Sequence, residues 1–561
     1  MITTLFDKIY FQITNKYQLT IFTLLIFGLQ SYATDYHVGS DQALSTISEV
    51  PWSTLHPGDR VYIHWRSEPY KEKWVINRQG TADNPIEIIG VDGPEGQQPI
   101  IDGNGAITVS GVNFWNESRG VIKIGGSNTP ADGLPAYIII DNLEIRSGRP
   151  PYQFTNDNNQ TETYANNAAA IYVEKAANLT IRNCTLHDSG NGLFIGANGG
   201  QTENIMIEKN HIYDNGIEGR IYEHNTYTAA INITYQFNHF GPLRSGAEGN
   251  NLKDRSAGLI VRYNWIESGN RQLDLVDAED SEVLVNHPNY HKTYVYGNIL
   301  IEPEDAGNSQ MVHYGGDSGT EVDYRKGDLY FYNNTVISTR TGNPTLIRLS
   351  TNDETAHVFN NVIYTIASGD RFAMISGNGT FNMHHNWLKP DWKDCHCTPD
   401  GIVDDQGDNL TGSDPLFMDF NNQNFYLQNN SPLIDQATNI PTELLPDHDI
   451  KYIYLKHQNS DTRALSGNID IGAYEYSSTL SINNLDFDNK ISISPNPVYN
   501  VFVIKIENEI LEKAIIYDGL GQQVKLVDSN EVNISKLKDG IYFLKITSKS
   551  GKIFTETIIK Y

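Results

Sequence analysis

Three cysteines in 561 residues are too few for a disulfide framework. Cys184 falls in an apolar strand pattern, as a small buried hydrophobe does. Cys395 and Cys397 flank His396, but two thiols and one imidazole so close together cannot close a tetrahedral zinc site. A local disulfide or free thiols are expected there. Basic residues are also scarce, with 41 Lys+Arg against 68 Asp+Glu and a formal charge of −27. With no phosphate loop and no basic surface, neither nucleotide nor nucleic-acid binding is expected. No segment is apolar for long enough to cross a membrane as a helix. No 3.6-residue periodicity competes with the strand pattern that fills the chain.

What the chain has at its start is Lys8 and Lys16, the apolar run "LTIFTLLIFGL", and "SYA" ending at Ala33. That order of charged region, short apolar region and small-residue cleavage site reads as a secretory signal peptide over residues 1–33. Further on, asparagine recurs before short apolar runs, at Asn183, Asn210, Asn238, Asn264, Asn298, Asn334, Asn361 and Asn386. Most gaps are 25 to 28 residues; the two after Asn264 and Asn298 are 34 and 36. Asn142 looks like an earlier member. A repeat of this length with β-branched and aromatic strands argues for a solenoid. Each coil must turn sharply, and Asn tolerates left-handed backbone better than most residues. Its amide can also bond the equivalent Asn on the next coil. The long gaps should be loops leaving the wall near a functional site.

This pattern resembles the right-handed parallel β-helix family. "LHPGDRVYI" and "PIIDGNG" are similar to its first coils, and "DPLFMDFNNQNFYLQNNSPLIDQA" and "IDIGAYEY" to its C-terminal end. The expected fold is all-β: a β-helix over residues 34–481, a linker at 482–489 and a small β-sandwich at 490–561. The tail is electrically neutral, with 10 Lys and 10 Asp+Glu from residue 482 onward, so the acidity belongs to the body. Its "ISISPNPVYNVFVIKI", "ISKLKDGIYFLKI" and "TIIKY" resemble the type A C-terminal sorting domain of the type IX secretion system found in Bacteroidetes. That resemblance implies handling by the type IX machinery and release or attachment at the cell surface. The working form is expected to be a monomer.

In "GNNLKDRSAG", Lys253 and Arg255 flank Asp254, so on a strand both cations emerge on one face. Counting from each ladder asparagine, Lys253 lies 15 after Asn238, Asn225 15 after Asn210, His313 15 after Asn298 and Glu279 15 after Asn264. Tyr227 and Arg255 each lie 17 after theirs, and His224 lies 14 after Asn210. "EHNTY", "LKDR", "LVDAED" and "MVHYGG" should therefore share one face. A positive spot on an acidic body can hold an acidic ligand, and guanidinium suits a planar carboxylate or sulfate. For either cation alone, a solvated wall charge is the plainer reading.

Elimination at a uronate needs a group to neutralise the carboxylate, a base and an acid. Lys253, with its pKa depressed by Arg255, would serve as base; His224 and Tyr227 are an alternative base and acid. "GNNLKDRSAG", with "EHNTY" before it and "GNRQLDL" after it, resembles the Lys and Arg region of chondroitinase B and the β-helix alginate lyases. The resemblance implies Lys253 as base, Arg271 or Arg255 as second catalytic cation, and Glu248 as a calcium ligand. Asn225, Asn251, Arg244, Asp274, Asp277 and His313 are candidates for binding the acidic polysaccharide. The Gly-His-Gly, Asn-Thr-Asp and Arg-Ile-Lys of β-helix polygalacturonases are absent. Asp274, Asp277 and Glu279 still leave a different hydrolase open, and a binding protein without chemistry is the third class.

Overall fold

A computed structural model describes residues 33–477, 491–506, 510–518, 522–549 and 553–561. All but the last residue of the expected signal peptide, and the linker at 482–489, lie outside the described residues. The chain divides into two compact units, residues 1–476 and 477–561.

The first unit is a parallel β-helix. Each coil contributes one strand to each of three sheets, as in Glu203–Glu208, His211–Ile212 and Thr226–Thr228. The sheets hold 13, 11 and 13 strands. Alternation sends Val, Ile and Leu inward into one continuous core, with Ile207, Leu259, Val295 and Phe331 fully buried. The asparagine ladder runs through this interior. Asn210, Asn238, Asn264, Asn298, Asn334, Asn361 and Asn386 each donate their backbone N–H and side-chain amide to the carboxamide oxygen of the next, at 2.9–3.0 Å. Asn409, which the repeat count missed, accepts from Asn386. One amide satisfies two donors of the coil before it, so from Asn210 onward each corner is closed by the chain's own groups.

Two parts of the ladder reading need correction. The left-handed backbone falls on the residue before each ladder asparagine: Lys209, Phe237 and Tyr263 have φ of 56°, 58° and 54°. Asn183 occupies that left-handed step (φ 52°), and Cys184 stands at the ladder position, its N–H donating to Asn210 Oδ1 at 2.9 Å. Asn142 (φ 60°) is placed as Asn183 is. The amide bond, rather than tolerance of φ > 0, accounts for the recurrence.

Residues 413–476 close over one wall, where Phe417, Phe425, Tyr454 and Ile471 bury Trp265, Ile337 and Trp387. Buried Arg463 and Glu475 are ion-paired there at 2.6 Å. Cys395 and Cys397 form a disulfide, and Cys184 is buried and free. No helix among the described residues is long and apolar enough to cross a membrane. In the second unit, antiparallel sheets of three and four strands pack around Phe502, Ile504, Ile516, Leu544 and Ile546. That is the expected small sandwich.

Candidate active site on the solenoid wall

On the third sheet, Phe194, Tyr227, Lys253, Asp274 and His313 are paired register neighbours on successive coils. Lys253 and Arg255 share this outward face; Asp254 between them turns inward onto Thr228, Ser256 and Arg325. A column on this face was foreseen, but its register is two residues off at Tyr227 and five at Asp274, which stands where Glu279 was expected. Lys253 pairs with Tyr227, not with Asn225, because the segment between the corner and the third strand is longer in the preceding coil. Asn225 belongs instead to a second interior amide chain, donating to Asn251 Oδ1 at 2.8 Å and to the Gly241 carbonyl. Both amides are fully buried and spent on the wall, so neither is presented to a substrate.

The column lies beneath a groove of about 930 Å³ lined by His224, Tyr227, Lys253, Arg255, Arg271 and Asp274, among others. The long repeat gaps supply its far side. The excursion after Asn264 carries Asp277 and Glu279, and that after Asn298 carries Asp317. Asp317 was missed by the sequence reading, which stopped at "HYGG". It bridges the two cations: its Oδ1 accepts from Arg255 Nη2 at 3.0 Å, and its Oδ2 accepts a short hydrogen bond from Lys253 Nζ. Arg255 also meets Glu279 at 3.1 Å and donates from Nε to the Tyr227 hydroxyl at 3.0 Å.

Asp274 is the buried anchor. It accepts from Lys253 Nζ at 2.8 Å, from Asn250 at 2.7 Å and from His313 Nδ1 at 2.9 Å. Burial opposes its charge, but Lys253, His313 and Arg271 outweigh it and hold the carboxyl well below the usual range. Asp317 is lowered likewise, burial being overcome by Lys253 and Arg255. Glu279 moves the other way: burial exceeds the pull of Arg255, and its pKa is raised.

These surroundings do not suit two of the expected roles. A lysine base needs a depressed pKa. Burial acts in that direction on Lys253, but Asp274 and Asp317 outweigh it and the pKa is raised, so Lys253 is a fixed ammonium. His224 is pushed down to about 3, by burial first and by Lys253 second. Its Nδ1 accepts the Asn250 N–H at 2.8 Å, so the neutral ring carries its proton on Nε2 and acts as a donor rather than a base.

The remaining candidates are placed outside the groove lining. Asp277 is buried and accepts the Asp317 N–H at 2.8 Å, holding that loop. His313 is wedged between Asp274 and Ser350 and positions the carboxylate. Arg244 is ion-paired with Asp188 at 2.8 Å along another edge. Glu248 is exposed and gathers no further acidic ligands; among the described residues no group of three or more His, Cys, Asp or Glu has metal-holding geometry. Calcium does not fit at Glu248, and no step is routed through it. The sequence reading also passed over Arg119 and Phe194, which line the groove from other coils and carry no repeat signal.

Comparison with known proteins bears on the two units separately. Residues 492–560 match the secretion system C-terminal sorting domain. The chain is a type IX secretion substrate. Its destination is thus the extracellular space or the cell surface. Residues 100–336 match the family described as right handed β-helix region, which gives the solenoid its hand. Solved structures similar to the chain include the GH136 lacto-N-biosidase from Eubacterium ramulus, at 14% identity over 73% of this chain and 70% of that one, with a TM-score of 0.37. The polygalacturonase from Erwinia carotovora ssp. carotovora is 10% identical over 66% and 97%, with a TM-score of 0.37. An alginate lyase of family PL6 is 12% identical over 73% and 60%, with a TM-score of 0.31. No curated protein sequence matches the chain.

Proposed function

We propose that the exported protein cleaves an acidic, uronate-containing polysaccharide in this groove by β-elimination. The observation that carries the reading is Tyr227: its hydroxyl accepts from Arg255 Nε at 3.0 Å, within a groove that also presents His224 and Arg271. Arg271 Nε is buried without a hydrogen-bond partner. Arg271 and the Nε2–H of His224 are the donors that neutralise the uronate carboxylate. The step requires Tyr227 in its deprotonated form, whose oxygen, held by Arg255, takes the proton at C5. The C5–H electrons form the C4–C5 double bond as the C4–O bond breaks, and the same phenol returns the proton to the leaving oxygen. No water is consumed. Lys253, locked between Asp274 and Asp317, holds those two carboxylates in place beside the reacting centre.

One observation favours hydrolysis as a second reading. Glu279 and Asp317 approach the same Arg255 nitrogen, at 3.1 and 3.0 Å, while their pKa values are pushed apart, up for Glu279 and down for Asp317. Such a split suits an acid and a base. Incubation with polygalacturonate, alginate, ulvan and chondroitin sulfate separates the readings. Reducing ends that appear together with the ultraviolet absorbance of an unsaturated uronate support elimination. Reducing ends without that absorbance transfer the assignment to the carboxylates. Binding with neither product makes the groove a recognition site.

A further inference from the structure

Arg119 ends the short turn Glu117–Arg119, on an excursion that reaches the groove several coils before Lys253. Its guanidinium lies 4.7 Å over the Tyr172 ring and 5.0 Å over Phe194, two rings that stack on each other at 4.8 Å and 10°. Tyr172, Phe194, Tyr227 and Lys253 are consecutive steps of the outward column. With strands about 4.8 Å apart, Arg119 stands roughly 5–10 Å from Tyr227, the length of one or two sugar units.

Every other cation of the groove has a carboxylate within 4 Å. Lys253, Arg255 and Arg220 rest on carboxylates at 2.8, 3.0 and 3.0 Å, and Arg271 is 3.8 Å from Asp274. Arg119 has no ion-pair partner among the described residues, and its Nε is buried without a hydrogen bond. In a chain with 68 acids, an unbalanced guanidinium on the groove wall stands out. Contact with two rings holds the group in place, and its Nη groups make no hydrogen bond among the described residues, as bidentate capture of a planar oxyanion requires.

We propose that Arg119 is the receptor for a second acidic group of the bound polysaccharide, a carboxylate or sulfate one or two sugars along from the cleaved uronate. This rests on the reading that the groove takes an acidic polysaccharide, and it adds a requirement for charge at a defined distance. An isolated uronate in a neutral chain would satisfy the reacting centre but not Arg119.

The test reads binding rather than turnover, by retardation in gels carrying polygalacturonate, alginate or chondroitin sulfate, each against its carboxyl-reduced or desulfated form. Arg119→Gln should weaken retardation by the acidic polymer about 10- to 100-fold, the size of a lost charge-assisted pair. Retardation by the neutralised polymer and the melting temperature should not change. Arg119→Lys should recover only part of the binding, and if the Gln variant melts early this variant decides, since it keeps the charge and loses the fork. Sensitivity to carboxyl reduction names a uronate at this subsite; sensitivity to desulfation names a sulfate ester. Wild-type binding by Arg119→Gln, or no binding of any of the three polymers by the wild type, overturns the proposal. If binding depends on Arg119 and no unsaturated product forms, the elimination reading falls and Arg119 stands. If unsaturated product forms with unchanged KM in Arg119→Gln, Arg119 falls and elimination stands.

Discussion

The asparagine ladder and the groove column climb the same solenoid, one step per coil, yet they are composed in opposite ways. The ladder repeats one residue from Asn210 to Asn409. The column changes residue at every step, from Phe194 through Tyr227, Lys253 and Asp274 to His313 and Arg348. A carboxamide is complementary to a copy of itself, so identical residues stack without an unpaired group. A charge is not: like charges about 4.8 Å apart repel, by several kcal/mol where solvent is scarce. Lys253, Asp274 and Arg348 therefore alternate in sign, with neutral His313 between the last two. A repeating column stabilises the coil; a non-repeating one is what a site requires.

The sharpest way to break this contrast is Arg255→Ala, which removes the contact to Tyr227 and strips a cation from Asp317 and Glu279. Turnover of an acidic polysaccharide should fall about 10²- to 10⁴-fold. A variant that keeps more than a tenth of the wild-type rate would leave the column without its proposed role.

Asn298→Ala should do the reverse. It leaves the Asn264 N–H, a buried donor, without a partner and breaks the amide bond to Asn334, at about 3 kcal/mol. Denaturant unfolding should show that loss while any turnover by the folded protein is unchanged. Unaltered stability would mean that the ladder is decoration.

Acid should act on the imidazoles beside the two columns. His224 and His211, each pushed down to about 3 by burial first, stay neutral when folded but protonate near pH 6.5 when unfolded. Because the unfolded chain binds more protons in that interval, stability should fall as pH drops from about 6.5 toward 3, by up to about 1.4 kcal/mol per pH unit for each ring. The lowered carboxylates Asp274 and Asp317 add their loss only below about pH 4. Urea midpoints between pH 7 and 4 should decline, and His224→Gln should flatten the decline; a level profile would contradict the burial of these rings. The smallest effect is expected from removing residues 482–561. They form a separate unit that serves export, and turnover by the remaining chain should match that of the intact protein.

How much of this was legible follows from the same contrast. The ladder could be read because a self-complementary residue must recur, and even the misplacement of Asn183 is a shift of one position. The column could be read in part of its membership, as Tyr227 and Lys253 show, but not in register, because coils differ in length between corner and strand; Asp274 stands where Glu279 was expected. Asp317 and Arg119 come from excursions without a repeat, so nothing in the spacing marks them. The expected depression of the Lys253 pKa weighed only Arg255, two residues away; burial also lowers it, but Asp274 and Asp317, 21 and 64 residues away in sequence, outweigh both and raise it.

Tyr227→Phe removes one oxygen from the groove and touches no ladder bond, so its rate of unsaturated-uronate formation tests the division of labour most directly. The account predicts a wild-type melting temperature together with a fall of at least about 100-fold in that rate. Formation of the unsaturated product at the wild-type rate would contradict it.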